Sequence, residues 1–150
     1  MKLALGDTAP IFSAPDQEGA AHSLEEYKGK WLVLYFYPRD NTPGCTKEAC
    51  SLRDSMDRLS AIASVVGVSA DGVTSHKKFA SQYNLPFTLL SDPKHIIISA
   101  YGTDGLLFAK RTTFLITPSG KIAKIYDKVN PETHATELIK DLTALQNKPS

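Results

Sequence analysis

The chain has 150 residues, 42% hydrophobic and 22% charged, a composition that fits one soluble globular domain with a sizeable core. Seventeen Lys and Arg against sixteen Asp and Glu leave a formal charge of +1, so no long-range field draws the chain to nucleic acid or to an anionic membrane. Asp7 and Pro10 interrupt the N-terminus too early for a signal peptide, and the apolar runs at 31–37 and 96–98 are too short to span a bilayer; a cytoplasmic protein is expected.

In chain order, Ser23-Leu24-Glu25-Glu26 has the pattern of a capping box, with Ser23 as N-cap and Glu26 at the third helical position, and Gly29 ends the short helix. Trp31-Leu32-Val33-Leu34-Tyr35-Phe36-Tyr37 is a continuous apolar run of strand length, the pattern of a strand buried on both faces, and Pro38 stops it. A loop over 39–44 leads into a helix predicted from 45 to 59, in which Cys45, Ala49, Leu52, Met56 and Leu59 fall on one stripe. A second buried strand is predicted at 63–69, then a helix over 75–83 capped by Asp71 or Thr74, a short strand at 88–90 and a short helix at 95–101. Strands at 112–117 and 121–126 flank Pro118-Ser119-Gly120 as a hairpin. Pro131 is expected in the first turn of a last helix that runs to 145. This order predicts an α/β fold, with a central mixed β-sheet, helices on both faces and a single domain over 1–150.

Cys45 and Cys50 are the two cysteines. In a chain of this length without a secretory signature, two thiols so close suggest redox chemistry, part of a metal site, or coincidence. A reactive cysteine has to be a thiolate near neutral pH, and a helix N-terminus favours one through its unpaired N–H groups and dipole. Cys45 stands where the predicted helix begins, directly after Gly44, at the C-terminal end of a buried strand where α/β sheets place ligands. Thr42, three residues earlier, offers a hydroxyl that both donates and accepts, and Pro38 can shield the pocket and fix the entry of the loop. On one helix, positions 45 and 50 lie about 7.5 Å apart along the axis and face different sides. Disulfide-bonded Cα atoms usually lie within about 7 Å. A disulfide between these two would require the first turns of the helix to unwind.

The stretch Phe36-Tyr37-Pro38-Arg39-Asp40-Asn41-Thr42-Pro43-Gly44-Cys45-Thr46-Lys47-Glu48-Ala49-Cys50 closely resembles the active-site segment of peroxiredoxins, most of all the Q-type subfamily of bacterioferritin comigratory proteins. The family pattern of Pro, Thr four residues on and Cys three further is met by Pro38, Thr42 and Cys45. Cys50 stands where the Q-type form often carries a second cysteine. Arg111, leading Arg111-Thr112-Thr113-Phe114-Leu115-Ile116, resembles the arginine that the family has at the start of a later strand. Leu5-Gly6-Asp7-Thr8-Ala9-Pro10 with Phe12, then Lys28-Gly29-Lys30, then Leu89-Leu90-Ser91-Asp92 extend the likeness over most of the chain.

The resemblance implies a thioredoxin-like fold and a thiol-dependent peroxidase acting on hydrogen peroxide and organic hydroperoxides. It makes Cys45 the residue that attacks the O–O bond and becomes a sulfenic acid. It assigns Thr42 and Arg111 to hold the thiolate and polarise the peroxide, Pro38 to shelter the site, and Cys50 to resolve the sulfenic acid as an intramolecular disulfide. Thioredoxin or a similar dithiol is the implied reductant, with no metal, haem or flavin, and a monomer suffices.

The same residues admit plainer interpretations. Alone, Cys45 on an apolar stripe is inert core, Arg111 a strand-end charge in a surface ion pair, Thr42 a turn residue before Pro43, and Cys50 a spectator to a thiol from another molecule. His22, His76, His95 and His134 are scattered without ligand spacing, so the chain does not assemble the four ligands of a structural zinc. His134 is expected on the surface of the last helix. The alternative function is a redox-responsive interaction protein switched by a Cys45–Cys50 disulfide. A thioredoxin-like disulfide reductase is weaker, because Cys-x-x-Cys is absent.

Overall fold

The computed structural model describes residues 3–147. Strands β1 (Ser13–Pro15) and β2 (Ala21–Ser23) form a small antiparallel hairpin. The central sheet is built from β3 (Leu32–Phe36), β4 (Ser64–Ser69), β5 (Thr88–Ser91), β6 (Thr112–Ile116) and β7 (Ile122–Tyr126). Its spatial order is β5-β4-β3-β6-β7. The first three strands run parallel, and β6 and β7 join antiparallel, so the expected mixed sheet is present. The helices are α1 (Pro43–Asp54), α2 (Met56–Leu59), α3 (Val73–Tyr83), α4 (Ile96–Ala100) and α5 (His134–Gln146).

Strand β3 lies at the centre because it can be buried on both sides. Val33, Tyr35 and, just beyond the strand, Tyr37 point into a core with residues of α1, α3 and α5 such as Ala49, Leu52, Phe79 and Leu138. Leu32, Leu34 and Phe36 point the other way, toward Phe12, Ile97, Ile98 and Tyr101. Helices therefore cover both faces, as the sequence predicts. The antiparallel register opposes Phe36 to Thr112. Arg111, the residue before β6, is thereby held at the carboxyl end of β3, where the loop to α1 starts.

Several boundaries differ from expectation for identifiable reasons. The helix predicted over 45–59 starts at Pro43, whose fixed φ and missing N–H suit a first helical position, and it is interrupted at Ser55. Helix α3 is capped by Gly72 instead of Asp71 or Thr74. The Asp71 carboxylate is occupied elsewhere, accepting from the Asp40 N–H at 2.8 Å and the Ser69 hydroxyl at 2.6 Å. Pro131 precedes α5, because Asn130 organises a turn there. The Asn130 side chain accepts from the Glu132 N–H at 3.0 Å, and its carbonyl accepts from the Thr133 and His134 N–H groups. The Ser23–Glu26 capping box is present, with the Glu26 carboxylate accepting from the Ser23 N–H at 3.0 Å, but it opens a 3-10 turn at Leu24–Tyr27. The β1–β2 hairpin has no counterpart among the predicted elements, since three-residue strands are too short to show a period.

His134 is buried, contrary to its expected surface position. It begins the inward stripe of α5, followed by Ala135, Leu138 and Leu142. Its ring packs edge-on to Tyr126, and Nε2 lies 2.9 Å from the Thr113 hydroxyl. Burial holds its imidazole below the usual histidine range.

Candidate active site

Thr42 is the extended N-cap of α1, and Pro43 occupies the first helical position. The Thr46 N–H makes the first bond along the helix, to the Thr42 carbonyl at 2.8 Å. Gly44 and Cys45 thus belong to the turn whose N–H groups precede the helical ladder, and the positive end of the helix dipole meets the Cys45 thiol. Cys45 is 1% exposed and Cys50 is half-buried, and both are free thiols.

Arg111 reaches this thiol from its place just ahead of β6. Its Nη2 donates to Cys45 Sγ at 3.4 Å, and its Nη1 donates to Glu48 Oε1 at 2.6 Å. One guanidinium therefore grips a sulfur and a carboxyl group that are one helical turn apart. Gly44 leaves room for that grip, because a Cβ there would stand 2.9 Å from Nη2.

Thr42 Oγ1 donates to the Arg39 carbonyl at 2.9 Å. With its proton so engaged, the hydroxyl can offer an incoming molecule its lone pairs. Pro38 is half-buried in the bend after β3. Of the five residues singled out from the sequence, Cys45 and Arg111 touch, Thr42 and Pro38 shape the loop before the helix, and Cys50 lies farther along α1. Phe108, three residues before Arg111, is partly exposed beneath the Arg39 guanidinium, 5.9 Å from its ring centre. Leu106 and Leu107 beside it are exposed.

Glu48 is the residue that sequence reasoning missed. It is 0% exposed, and its Oε2 has no hydrogen-bond partner among the described residues. Burial pushes its carboxyl up to about 7, against the pull of Arg111. The signal was available: position 48 lies three residues after Cys45 and four before Leu52, on the very stripe that marked the helix as buried. The Tyr35 hydroxyl, on β3, is likewise buried without a partner. Burial drives its phenol well above the ordinary range, with Glu48 and Cys45 adding to the effect. The Tyr35 ring lies over Gly67 of β4, where a Cβ would meet it at 2.8 Å.

A second buried acid, Asp40, holds the outer part of the loop. It accepts from the Tyr37 hydroxyl at 2.6 Å and the Ser75 hydroxyl at 2.8 Å, and it faces His76 Nδ1 at 2.7 Å. His76 Nε2 faces the Leu90 carbonyl at 2.9 Å. A carbonyl carries no proton, so Nε2 is the donor in that contact. Asp40, His76 and Asp71 could be viewed as a trio of metal ligands, but the hydrogen bonds just described already engage their ligating atoms.

The model of the AhpC/TSA family matches residues 5–125. A Coxiella burnetii protein named as a peroxiredoxin, bcp, is 46% identical over 148 residues, which cover 93% of this chain and 98% of that one. Among solved structures, the peroxidoxin BcpB of Mycobacterium tuberculosis superposes with a TM-score of 0.90 at 35% identity, over 95% of this chain and 98% of that one. The bacterioferritin comigratory protein of Xanthomonas campestris, described for its alkyl peroxide reduction activity, gives a TM-score of 0.85 at 30% identity, over 89% of this chain and 91% of that one.

Proposed function

The chain belongs to the AhpC/TSA family as a peroxiredoxin of the Q type with a thioredoxin-like fold, and from that membership we propose that it reduces peroxides through Cys45. The observation that carries the assignment is the Arg111 Nη2 donating to Cys45 Sγ at 3.4 Å, at the N-terminus of α1. The Cys45 thiolate attacks one oxygen of ROOH. The O–O bond breaks, Cys45 becomes a sulfenic acid, and RO⁻ takes up a proton and leaves as the alcohol, or as water from hydrogen peroxide. Arg111 stabilises the charge as it moves from sulfur to oxygen. Thr42, with its own proton on the Arg39 carbonyl, accepts from the peroxide O–H, and Pro38 limits water at the sulfur.

Cys50 then attacks the sulfenic sulfur, forming the S–S bond and releasing water. Since both cysteines lie on α1, this step unwinds the first turns of the helix and needs no second copy of the chain. A dithiol reductant of the thioredoxin type exchanges with the disulfide and restores both thiols. Only two cysteines in a chain of this length suit a reducing compartment such as the cytoplasm, and no helix among the described residues is long and apolar enough to cross a membrane. The partly exposed Phe108 ring, packed under Arg39 of the loop before α1, supports organic hydroperoxides as substrates alongside hydrogen peroxide. The test is steady-state peroxide consumption with thioredoxin and its reductase. Wild type is expected to turn over hydrogen peroxide and an alkyl hydroperoxide, and Cys45→Ser to show neither activity. Sustained turnover by Cys45→Ser removes the proposal.

A further inference from the structure

Glu48 lies between the two cysteines in the chain, three residues after Cys45 and two before Cys50. Unwinding α1 far enough to bring the sulfurs together therefore has to lift Glu48 out of the core. In the intact helix Glu48 is fully buried, with one oxygen on Arg111 at 2.6 Å and the other without a partner among the described residues. A buried carboxylate satisfied on one side only is costly, and water relieves that cost once the helix opens.

We propose that Glu48 is the positioning residue that couples the two halves of the cycle: buried, it sets Arg111 against Cys45 for attack on peroxide, and its escape to solvent with loss of a proton favours the unwound helix in which Cys50 reaches Cys45. This rests on the Cys45 and Cys50 chemistry proposed above. The balance is Cys45–SOH plus Cys50–SH giving Cys45–S–S–Cys50 plus water, accompanied by Glu48–COOH giving Glu48–COO⁻ and a proton released to solvent. The groups facing Glu48 are Cys45 on its own helix, Arg111 ahead of β6 and Tyr35 on β3. Asp40 acts on Tyr35, and Arg111 on His134 of α5, at longer range.

The direction of the pH effect follows. Buried, the Glu48 carboxyl titrates at about 7, whereas in water a glutamate titrates near ~4.3. Between those values the intact helix holds a proton that the unwound helix does not. Opening therefore becomes easier by up to about tenfold per pH unit, and the gain stops once the buried carboxyl is ionised.

The experiment is proton counting during a single turnover. Wild type and Glu48→Gln are oxidised with one equivalent of hydrogen peroxide in lightly buffered indicator solution at pH 6 and at pH 8. Disulfide is counted by intact mass on the same samples, and the thiolate absorbance of Cys45 is used to subtract its own proton. Wild type is expected to release close to one proton more per disulfide than Glu48→Gln at pH 6, and the same number at pH 8. Equal counts at pH 6 overturn the coupling. Absence of a disulfide in wild type overturns instead the resolving chemistry beneath it. Should Glu48→Gln fail to fold, wild type alone decides: its corrected release must fall from near one proton at pH 6 to near none at pH 8, and a constant count contradicts the coupling.

Discussion

Two buried acids border the segment from Pro38 to α1, and they are treated differently. Asp40 is surrounded by donors, with Tyr37, Ser75 and His76 on its carboxylate. Glu48 has Arg111 on one oxygen and, among the described residues, no partner on the other. A fully satisfied buried network rigidifies what it ties together, while a half-satisfied one costs energy that a rearrangement can recover. The first acid ties the loop after Pro38 to α3 and, through His76, to β5. The second is on the helix whose first turns would have to unwind for the proposed Cys45–Cys50 disulfide. The two acids, a few residues apart, differ in how completely each carboxyl group is paired.

The strongest way to break this contrast is at Asp40. Asp40→Ala strands the His76 ring, the Tyr37 hydroxyl and the Ser75 hydroxyl together, and removing one partner of a buried pair costs about 3–5 kcal/mol. A fall in melting temperature of about 10 °C is expected by calorimetry. A fall of only a degree or two would mean that Asp40 is no anchor.

Glu48 sharpens the contrast through pH. Its carboxyl is raised in the folded protein, so its contribution to stability is complete below the unfolded value and is lost as pH rises through about 7. The shift corresponds to about 3 kcal/mol. Urea unfolding of the reduced protein should therefore show wild type losing stability relative to Glu48→Gln between pH 5 and pH 7.5. His134, held below the usual histidine range by its burial, works the other way, losing its contribution as pH falls, and it cancels in the comparison of the two proteins. Parallel curves would place Glu48 outside the titrating set.

The smallest effect separates activity from stability. Gly44→Ala puts a methyl 2.9 Å from Arg111 Nη2, so the guanidinium must leave Sγ. Alanine is also the better helix former, by about 1 kcal/mol in a helix interior. The peroxide rate is expected to fall about tenfold, which is about 1.4 kcal/mol of transition-state stabilisation, while the melting temperature holds or rises. Loss of both together would point to misfolding instead of a displaced arginine.

These contrasts also mark what the sequence could and could not reveal. Pro38, Thr42 and Cys45 are close in the chain and read together as a loop entering a helix. Arg111 is found through resemblance, and its reach to Cys45 depends on the β3–β6 register, which no local pattern displays. The β3 run is legible because burial on both faces leaves an unbroken apolar stretch. Asp40 and His76 stay hidden because their pairing spans 36 positions. Glu48 and His134 are hidden by residue type: both occupy inward positions of their helices, yet a polar residue on an apolar stripe is ordinarily assigned to solvent.

The central claim is that Cys45 is the nucleophile and Cys50 its resolving partner. It is tested most directly by intact mass and thiol count of wild type, Cys45→Ser and Cys50→Ser after one equivalent of hydrogen peroxide. Wild type is expected to lose two hydrogens, Cys50→Ser to gain one oxygen, and Cys45→Ser to remain unreacted. If Cys45→Ser reacts as fast as wild type, Cys45 is not the nucleophile and the peroxidase mechanism falls with it.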